Sequence, residues 1–598
     1  MNSMKTIFSV SSIRGWVLLL MAASLMTAPP AARAVGSWAH INNFPYSYPS
    51  HMLLLTDGSV MVQRDNSTTW YHLQPDSQGH YVQGNWSQFN GMTDYRRFYA
   101  SQVLPNGNVI VAGGEFGDGG STAELFSPLD NNGMGSWTDV TPPASPQLLG
   151  AFSDSSSIML PNGAVAFAPV AVYDQNATNY YNTLLYYPAS GTWSHVNYGS
   201  INYQDESTWL KLPDNTVLSA DIFTGGTTSE RFLTGPEIWI ADANLPRSVS
   251  MEGGAGETGG AFMMANGQAF FLGGSGQTAF YTPTGTTNHG TWTQGPDMPF
   301  YIGTIDAYDT NNSDYYVTNY SGLLMAQDTP AAMLNNGKIL CQFAANNDHA
   351  EVRFYEYDPS ITNFVAAPCP TNATPGTPFL PAYHLCDGTS MLDLPDGTVL
   401  YSDTANLYVY TPDGSPLVAG RPTVQSVSLN LNGDVHLTGT LFNGISQGAS
   451  YGDDAQQDSN YPLVRFTDGS GNVTYGRTYN WSSTGVQTGN QIVTTECTLP
   501  SNVLTNPGTT YSLQVVANGN ASSPVTFFDP VWVDFNYSTN SPQIGTFSNP
   551  YSTLAQGTNA VPSGGTISIK AGHSPETMKI SKPMKLIAIG GTAIIGQQ

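Results

Sequence analysis

The chain has 598 residues and a formal net charge of −25, although only 10% of its residues are charged. This strongly acidic balance argues against nucleic acid and anionic membrane surfaces as partners. Four cysteines are too few for a disulfide framework at this length. Cys369 and Cys386 flank the start of one predicted unit, however, and could pair in an exported protein.

Residues 1–34 are predicted to be a secretory signal peptide. Lys5 and Arg14 precede an apolar run over 16–25. Ala32-Arg33-Ala34 then has the small-residue spacing of a cleavage site. No other apolar stretch is long enough to span a bilayer. We therefore expect a soluble, secreted protein without a membrane span.

A strand–turn–strand phrase recurs through residues 35–420. Its clearest copy, YRRFYASQVLPNGNVIVAGG, begins at Tyr95 and has the Pro-Asn-Gly sequence typical of a tight turn. Seven copies occur 49 to 70 residues apart, with these residues at the turn: Gly58, Gly107, Gly163, Asn215, Gly267, Gly337 and Gly397. This period predicts an all-β fold with a seven-bladed kelch-type β-propeller.

The predicted ring closes with its N-terminal strand. Aromatic residues such as Trp137 and Trp193 mark the outer strand of most units, where we expect them to pack between blades. The seventh unit lacks such a tryptophan, whereas the Gly-Ser-Trp sequence at 36–38 repeats the one at 135–137. We therefore expect the strand at Trp38 to complete the last blade, which removes an open sheet edge.

Two further parts follow the propeller. Alternating apolar and polar residues from Arg421 onward predict an immunoglobulin-like β-sandwich over residues 421–528. Residues 529–598 hold short apolar strands with glycine corners, the pattern of the first coils of a parallel β-helix. Because so few coils are not stable alone, either this segment docks on another surface or the sequence stops short of further coils.

This order of parts resembles the galactose oxidase/glyoxal oxidase superfamily, whose second domain is an early-set immunoglobulin-like sandwich. The resemblance covers residues 35–528, and residues 529–598 resemble the start of a pectate-lyase-like β-helix. The resemblance implies an axial site at the mouth of the propeller. There, the family's copper-radical enzymes use two tyrosines, two histidines and a cysteine cross-linked to one tyrosine.

Most of the copper ligands that the resemblance implies are missing. In the second unit Phe98, with Tyr99 next to it, occupies the family's tyrosine position nine residues before the turn glycine. In the seventh unit Tyr383 and His384 lie four residues too early. The first unit has no cysteine at the cross-link position, and the loop over 450–454 has no histidine. A copper site would therefore require Tyr99, Tyr383 and His384 to be rearranged.

Carboxylates fill the same position in five units, nine or ten residues before the turn residue: Asp154, Glu206, Glu257, Asp328 and Asp387. They could accept backbone N–H bonds, bind a hard cation such as Ca²⁺, or perform acid–base chemistry on a glycan, with Glu206 and Asp328 as the candidates. Arg96 and Arg97, just before Phe98, could pair with these carboxylates, hold an acidic sugar or form structural salt bridges.

The residues and the resemblance together predict a secreted protein that binds or processes extracellular carbohydrate or another polyol at the axial mouth. Arg97, Phe98 and the five carboxylates are the expected ligand contacts, without copper-radical chemistry. Two alternatives stay open. One is a copper radical oxidase of primary alcohols or aldehydes that produces hydrogen peroxide. The other is a non-enzymatic adhesion protein of a surface or matrix, attached through residues 529–598.

Overall fold

Seven four-stranded antiparallel sheets form the larger part of the computed structural model. Residues 36–598 belong to one compact unit. The structure describes residues 35–144, 152, 155–168, 183–196, 199–202, 204, 206–222, 225–250, 258–309, 314–345, 350–382, 386–448, 460–538 and 541–596. The predicted signal peptide therefore lies outside the described residues.

The first half of the chain contributes nineteen strands and one short helix: β1 (Ser37–His40), β2 (Pro49–Leu54), β3 (Val60–Arg64), β4 (Trp70–Gln74), β5 (Asn85–Phe89), β6 (Arg96–Arg97), β7 (Ala100–Val103), β8 (Val109–Ala112), β9 (Phe116–Gly117), β10 (Ala123–Ser127), α1 (Asp130–Gly133), β11 (Ser136–Asp139), β12 (Ser157–Met159), β13 (Val165–Phe167), β14 (Leu184–Tyr187), β15 (Thr192–His195), β16 (Trp209–Lys211), β17 (Val217–Ala220), β18 (Ser229–Leu233) and β19 (Ile238–Ala241).

The strands of the remaining propeller are β20 (Thr258–Met263), β21 (Ala269–Gly273), β22 (Thr278–Thr282), β23 (Thr291–Gln294), β24 (Phe300–Asp309), β25 (Asp314–Leu323), β26 (Ala331–Met333), β27 (Ile339–Ala344), β28 (Val352–Asp358), β29 (Asn363–Ala366), β30 (Ser390–Asp393), β31 (Val399–Ser402) and β32 (Leu407–Thr411). Blade 1 is β2–β5, blade 2 is β7, β8, β10 and β11, and blades 3 to 6 are β12–β15, β16–β19, β20–β23 and β26–β29. Blade 7 combines β30–β32 with β1, and β24 and β25 form a separate hairpin between blades 5 and 6.

The seven predicted turns join the first and second strands of the blades. Their central residues all adopt positive φ, between 65° at Asn215 and 88° at Gly397. Glycine adopts this left-handed conformation without steric cost, and asparagine tolerates it better than other residues do. The prediction that Asn215 takes the glycine position of the fourth unit is therefore confirmed.

The predicted closure of the ring is also confirmed. Strand β1 pairs antiparallel with β32, from Ser37 opposite Thr411 to His40 opposite Tyr408. The Trp38 ring packs against Phe354, with 5.0 Å between ring centroids, and its indole N–H donates to the Pro368 carbonyl at 2.8 Å. The N-terminal strand thus covers the outer edge of blade 7 and contacts blade 6.

Residues after the propeller form one continuous eight-stranded sheet: β33 (Thr423–Leu429), β34 (Val435–Thr440), β35 (Leu463–Thr467), β36 (Val473–Tyr479), β37 (Val493–Thr498), β38 (Thr510–Ala517), β39 (Asn520–Ala521) and β40 (Val525–Phe528). A one-turn 3₁₀ helix, Val418–Gly420, precedes it, and helix α2 (Ser501–Leu504) lies between β37 and β38. The buried core includes Phe466, Leu513 and Phe527. An immunoglobulin-like arrangement of these strands stays a prediction.

This sheet packs against the turn end of the propeller, and one segment reaches the inner strands. Ser446 Oγ accepts the backbone N–H of Met263 at 3.1 Å, and the Gln447 side chain accepts that of Lys211 at 2.8 Å. The Gly448 carbonyl accepts the backbone N–H of Met333 at 3.0 Å. Residues 446–448 therefore contact the inner strands of blades 4, 5 and 6 at their turn end.

The last part of the chain contains three parallel strands: β41 (Val531–Val533), β42 (Thr566–Ser574) and β43 (Lys585–Ile595). Helix α3 (Leu554–Ala560) lies between the first two. Its N-cap residue is Thr553, whose side chain accepts the Gln556 backbone N–H. The Gln556 side chain in turn accepts the Thr553 backbone N–H, which completes a capping box. Parallel pairing agrees with the expected coils, but a β-helix stays a prediction.

The pairing of Cys369 and Cys386, which the sequence left open, is not formed in this structure. Both are buried thiols, and Cys369 Sγ lies 3.7 Å from Thr371 Oγ1 and 3.9 Å from the Pro378 carbonyl. No helix in the described part of the chain is long and apolar enough to cross a bilayer.

The closing strand provides a test of the ring. We expect Trp38→Ala to lower the free energy of unfolding by about 2–3 kcal/mol, because it removes a half-buried ring and its hydrogen bond. Trp38→Phe keeps an aromatic ring and should cost about 1 kcal/mol, chiefly the hydrogen bond. Urea unfolding of the mature chain measures both variants. Equal losses in the two variants would contradict the packing role of the ring.

Candidate functional site

The inner strands β2, β7, β12, β16, β20, β26 and β30 stand next to one another around the axis. Just before β7, β16 and β26, at the opposite end from the turns, the backbone is strained. Phe98, Glu206 and Asp328 have φ of 52°, 53° and 46°, although none of them is glycine. Such a conformation costs on the order of 1–2 kcal/mol per residue and clusters at functional sites. All three residues stand nine positions before their turn residue.

One of these positions carries an arginine–aromatic cluster. The Arg97 guanidinium carbon lies 4.3 Å from the centre of the Phe98 ring. Strand β6 pairs with β9 so that Arg97 is opposite Phe116, whose ring lies 6.0 Å from the same guanidinium. Phe116 is 48% exposed, and the two phenyl rings meet edge to face at 5.9 Å. The guanidinium therefore lies against two aromatic surfaces, one of them open to solvent.

Two carboxylates complete this cluster from other blades. Arg97 Nε lies 3.5 Å from Asp65 Oδ1, after the second strand of blade 1, and Arg97 Nη2 lies 3.7 Å from Asp387 Oδ2, before β30 of blade 7. The side chains of Arg97 and Asp387 keep 20% and 17% exposure. Since it comes from blade 2, Arg97 joins three blades at the mouth. We call Asp65, Arg97, Phe98, Phe116 and Asp387 the mouth cluster.

Arg96, the neighbour of Arg97, has a structural role. Its side chain is fully buried, pairs with Asp94 at 3.2 Å and Glu124 at 3.0 Å, and donates to the Gly113 carbonyl at 2.7 Å. Consecutive residues of a strand point to opposite faces, so Arg96 faces the blade while Arg97 faces the mouth. Of the alternatives for the two arginines, the structural salt bridge holds for Arg96, and pairing with a predicted carboxylate holds for Arg97.

A carboxylate anchor holds the connection that precedes the inner strand in two blades. In blade 2, Glu124 accepts the backbone N–H groups of Thr93 and Asp94 at 2.7 and 3.1 Å. In blade 4, Glu230 accepts those of Ile201 and Asn202 at 2.6 and 3.0 Å. These connections lead to Phe98 and Glu206, respectively. The anchors therefore fix the chain just ahead of two strained positions.

The two anchors differ in their third partner. Glu124 meets the charged Arg96, whereas Glu230 meets the neutral Gln204, whose amide donates to it at 2.7 Å. Burial raises the pKa of Glu230 to about 7, in spite of the backbone hydrogen bonds that lower it. Folding therefore favours a protonated Glu230 over the range in which an ordinary glutamate is ionised.

Two of the other predicted carboxylates, Glu206 and Asp328, are described and lie outside the mouth cluster. Asp328 is 8% exposed, and Glu206 is half-buried in blade 4. Strand β20 of blade 5 stands between the inner strands of these two blades. Asp154 and Glu257 lie outside the described residues. Among the described residues, Ser207 Oγ and Gln327 Oε1, next to Glu206 and Asp328, are buried and have no hydrogen-bond partner.

The described residues near Phe98 do not fit a copper-radical centre. The Tyr99 ring is 1% exposed, and its hydroxyl donates to Gln63 Oε1 at 2.7 Å inside the contact between blades 1 and 2. The four cysteines belong to other buried clusters, away from Tyr99. Tyr383 and His384 lie outside the described residues. Phe98 itself offers no ligand atom.

A histidine that the sequence analysis did not consider lies beside Tyr99. The His51 and Tyr99 rings are 4.7 Å apart, and His51 Nε2 lies 2.8 Å from Ser101 Oγ. Burial lowers the pKa of His51 to about 3, so the ring is neutral at physiological pH. Among the described residues, no group of three or more histidine, cysteine and acidic side chains could hold a metal ion. A calcium site that includes Asp154 and Glu257 involves residues outside the described part of the chain, and it stays a prediction.

Sequence reasoning missed Asp65 and Phe116. Both follow the second strand of a blade, at the strand-start end of the propeller, and Phe116 comes two residues after the Gly113-Gly114 pair. A search for residues just beyond each second strand could have found them, because these loops and the inner-strand starts share one face. The pairing of β6 with β9 had no signal in the repeat pattern.

No protein-family model and no curated protein sequence matches this chain. Solved structures do. A fungal alcohol oxidase of the AA5 family in complex with copper is 12% identical and covers 83% of this chain and 100% of its own, with a TM-score of 0.42. A streptogramin B lyase is 13% identical and covers 64% of this chain and 100% of its own, with a TM-score of 0.40. Likenesses at this level carry no argument about chemistry.

The anchor of blade 4 predicts a pH dependence of stability. The Glu230 carboxyl has a pKa of about 7 in the folded protein and an ordinary pKa of 4.5 in the unfolded chain. Folding therefore favours its protonated form, which stabilises the protein fully at low pH, and this stabilisation is lost as the pH rises to about 7. We expect the wild type to lose about 2–3 kcal/mol more than Glu230→Gln between pH 5 and pH 8. Denaturant unfolding at a series of pH values measures this difference. Parallel pH profiles for the two proteins would contradict the raised pKa.

Proposed function

We propose that this chain is an exported, galactose-oxidase-like propeller protein that binds a neutral carbohydrate or another polyol at its axial mouth. The observation that carries the proposal is the mouth cluster. There, Arg97 lies against Phe98 and the exposed Phe116, with carboxylates of two other blades at 3.5 and 3.7 Å.

The chemistry of the cluster suits a sugar ring. Such a ring presents an apolar C–H face and an edge of hydroxyl groups. An exposed phenyl ring packs against the face, while a guanidinium donates to hydroxyl oxygens and carboxylates accept from hydroxyl hydrogens. A few polar groups placed beside an aromatic surface are typical of small-molecule sites. The net charge of −25 disfavours an anionic ligand in place of a neutral one.

The geometry favours binding over acid–base catalysis. Asp65 and Asp387 both face the same guanidinium, which suits residues that position a ligand. Catalysis on a glycosidic bond needs one carboxylic acid and one carboxylate on either side of that bond. Glu206 and Asp328 stay the candidates for that role, and the strained backbone at both residues supports testing them.

Export is the second part of the proposal, supported by the sequence of residues 1–34. We expect expression of the full chain with a secretory host to release a protein that begins at Val35. N-terminal sequencing of the secreted product tests this expectation. Retention of residues 1–34 on the secreted protein, or no secretion at all, would contradict it.

Phe116 offers the sharpest test of binding at the mouth. We expect Phe116→Ala to weaken binding about tenfold or more, equivalent to about 1.4 kcal/mol, because the exposed aromatic surface is lost. Titration calorimetry of the mature chain against monosaccharides, disaccharides and alditols measures the affinity. Phe116→Tyr keeps the ring and should retain most of it.

A matched control is Phe300→Ala, since Phe300 is 62% exposed but lies on the β24–β25 hairpin. It should leave binding unchanged. Arg97→Lys keeps the charge but loses the planar group that stacks on Phe98, so it should also weaken binding. Equal affinity of the wild type and Phe116→Ala, or no binding of any compound in the panel, would reject the proposal and favour an adhesion role.

A further inference from the structure

Two adjoining clefts lie at the other end of the propeller, the smaller between blades 1 and 2 beside Arg477 of the eight-stranded sheet, and the larger between blade 1 and that sheet. Their volumes are about 410 and 630 Å³, and Asp57 and Gln74 line both of them. Asp57 belongs to the turn between β2 and β3, whereas the mouth cluster lies where the inner strands begin. Both volumes fall in the range of ligand clefts, about 300–1,000 Å³. We call the two together the turn-side cleft.

Seven amide side chains line the turn-side cleft and come from both the propeller and the sheet. They are Gln74, Asn85, Gln88, Asn132, Asn472, Asn502 and Asn506. Each amide offers both donors and acceptors, as sugar hydroxyl groups do. Apolar surface is present as well, because Leu129 and Met134 line the smaller cleft with 61% and 51% exposure.

His72 provides a polar atom that has no partner in the protein. Its ring stacks on Phe89 with 4.2 Å between centroids, and its Nδ1 lies 3.3 Å from Ser87 Oγ. Nε2 is buried without a hydrogen-bond partner. Burial lowers the pKa of His72, so the ring is neutral at pH 7 and Nε2 can pair with a ligand hydroxyl group.

Arg477 and Asp57 supply the charges of the smaller cleft. Arg477 extends from β36 and donates from Nη2 to the Asn106 carbonyl, while its Nε is buried without a partner. Asp57 Oδ1 accepts the Ser59 backbone N–H at 3.1 Å and the Ser59 hydroxyl at 2.6 Å. Asp468, which lines the larger cleft, adds a second acid. Because the two acidic residues outnumber the one arginine, the charges of the turn-side cleft do not favour an anionic ligand.

We propose that the turn-side cleft is a second ligand site, which binds a neutral oligosaccharide along blade 1, from the groove that this blade forms with blade 2 to its boundary with the eight-stranded sheet. The two adjoining volumes call for a ligand longer than a single sugar ring. The amides, the unpartnered nitrogens of His72 and Arg477, and the apolar surface at Leu129 and Met134 match the hydroxyl edges and C–H faces of such a chain. This site does not depend on the mouth cluster.

The test uses the mature chain and hexasaccharides of β-linked glucose, xylose and N-acetylglucosamine, measured by titration calorimetry. His72→Phe keeps an aromatic ring against Phe89 but removes both nitrogens, and we expect it to weaken hexasaccharide binding about tenfold. Asn502→Ala, in the larger cleft, should weaken hexasaccharides about threefold and leave disaccharides unchanged. Phe116→Ala, at the mouth, should leave the cleft affinity unchanged.

Hydrogen exchange of the wild-type protein locates the ligand even if His72→Phe does not fold. A bound hexasaccharide should protect backbone amides near Ser87 and Asn472, whether or not it also protects those near Phe116. The proposal is overturned if no hexasaccharide binds more tightly than about 1 mM, if His72→Phe binds like the wild type, or if protection appears only at the mouth. The last result would leave the mouth site intact.

Discussion

The pairing of β1 with β32 is the contact on which the geometry of the mouth depends. It joins Ser37–His40 to the end of blade 7, so the first and last blades become neighbours. With the ring closed, Asp65 of blade 1 and Asp387 of blade 7 lie on either side of Arg97 from blade 2. The inner strands hold the same seam, because β2 contacts β30 and the Ser390 and Ser402 hydroxyls donate to the Ser50 and Pro49 carbonyls at 2.8 Å.

Closure also explains how the strained positions persist. Phe98, Glu206 and Asp328 each hold a left-handed backbone that an isolated hairpin would relax. In the ring, each position is followed by an inner strand between two others, and in blades 2 and 4 it is preceded by a chain segment fixed by Glu124 or Glu230. The anchors themselves are unequal. With Gln204 in place of an arginine, blade 4 buries a carboxyl group whose pKa is raised to about 7, so the chain segment ahead of the strained Glu206 has a pH-sensitive support.

The repeat pattern predicted the features that recur, because each recurring residue has one local cause. The seven turn residues need a positive φ, and Trp38 restores the outer-strand aromatic of blade 7. The mouth cluster has no such signal. Its members come from three blades. Strand alternation directs Arg97 to the mouth and Arg96 into the blade, and this requires knowing that these two residues form the strand β6. Asp65 and Phe116 lie in loops whose lengths differ between blades, so the period does not align them.

The attachment of the eight-stranded sheet makes the two ends of the propeller different. At the turn end, Gln447 and Ser446 accept backbone N–H groups from the inner strands of blades 4 and 5, so the sheet contacts the strands that surround the axis. The clefts that share Asp57 and Gln74 lie at the same end, where blade 1 meets blade 2 and the sheet. At the mouth, charge and aromatic surface from three blades converge on one guanidinium. The two proposed ligands therefore differ in kind: a compact one suits the mouth, and a longer one suits the turn-side cleft, which the attachment of the sheet helps to form.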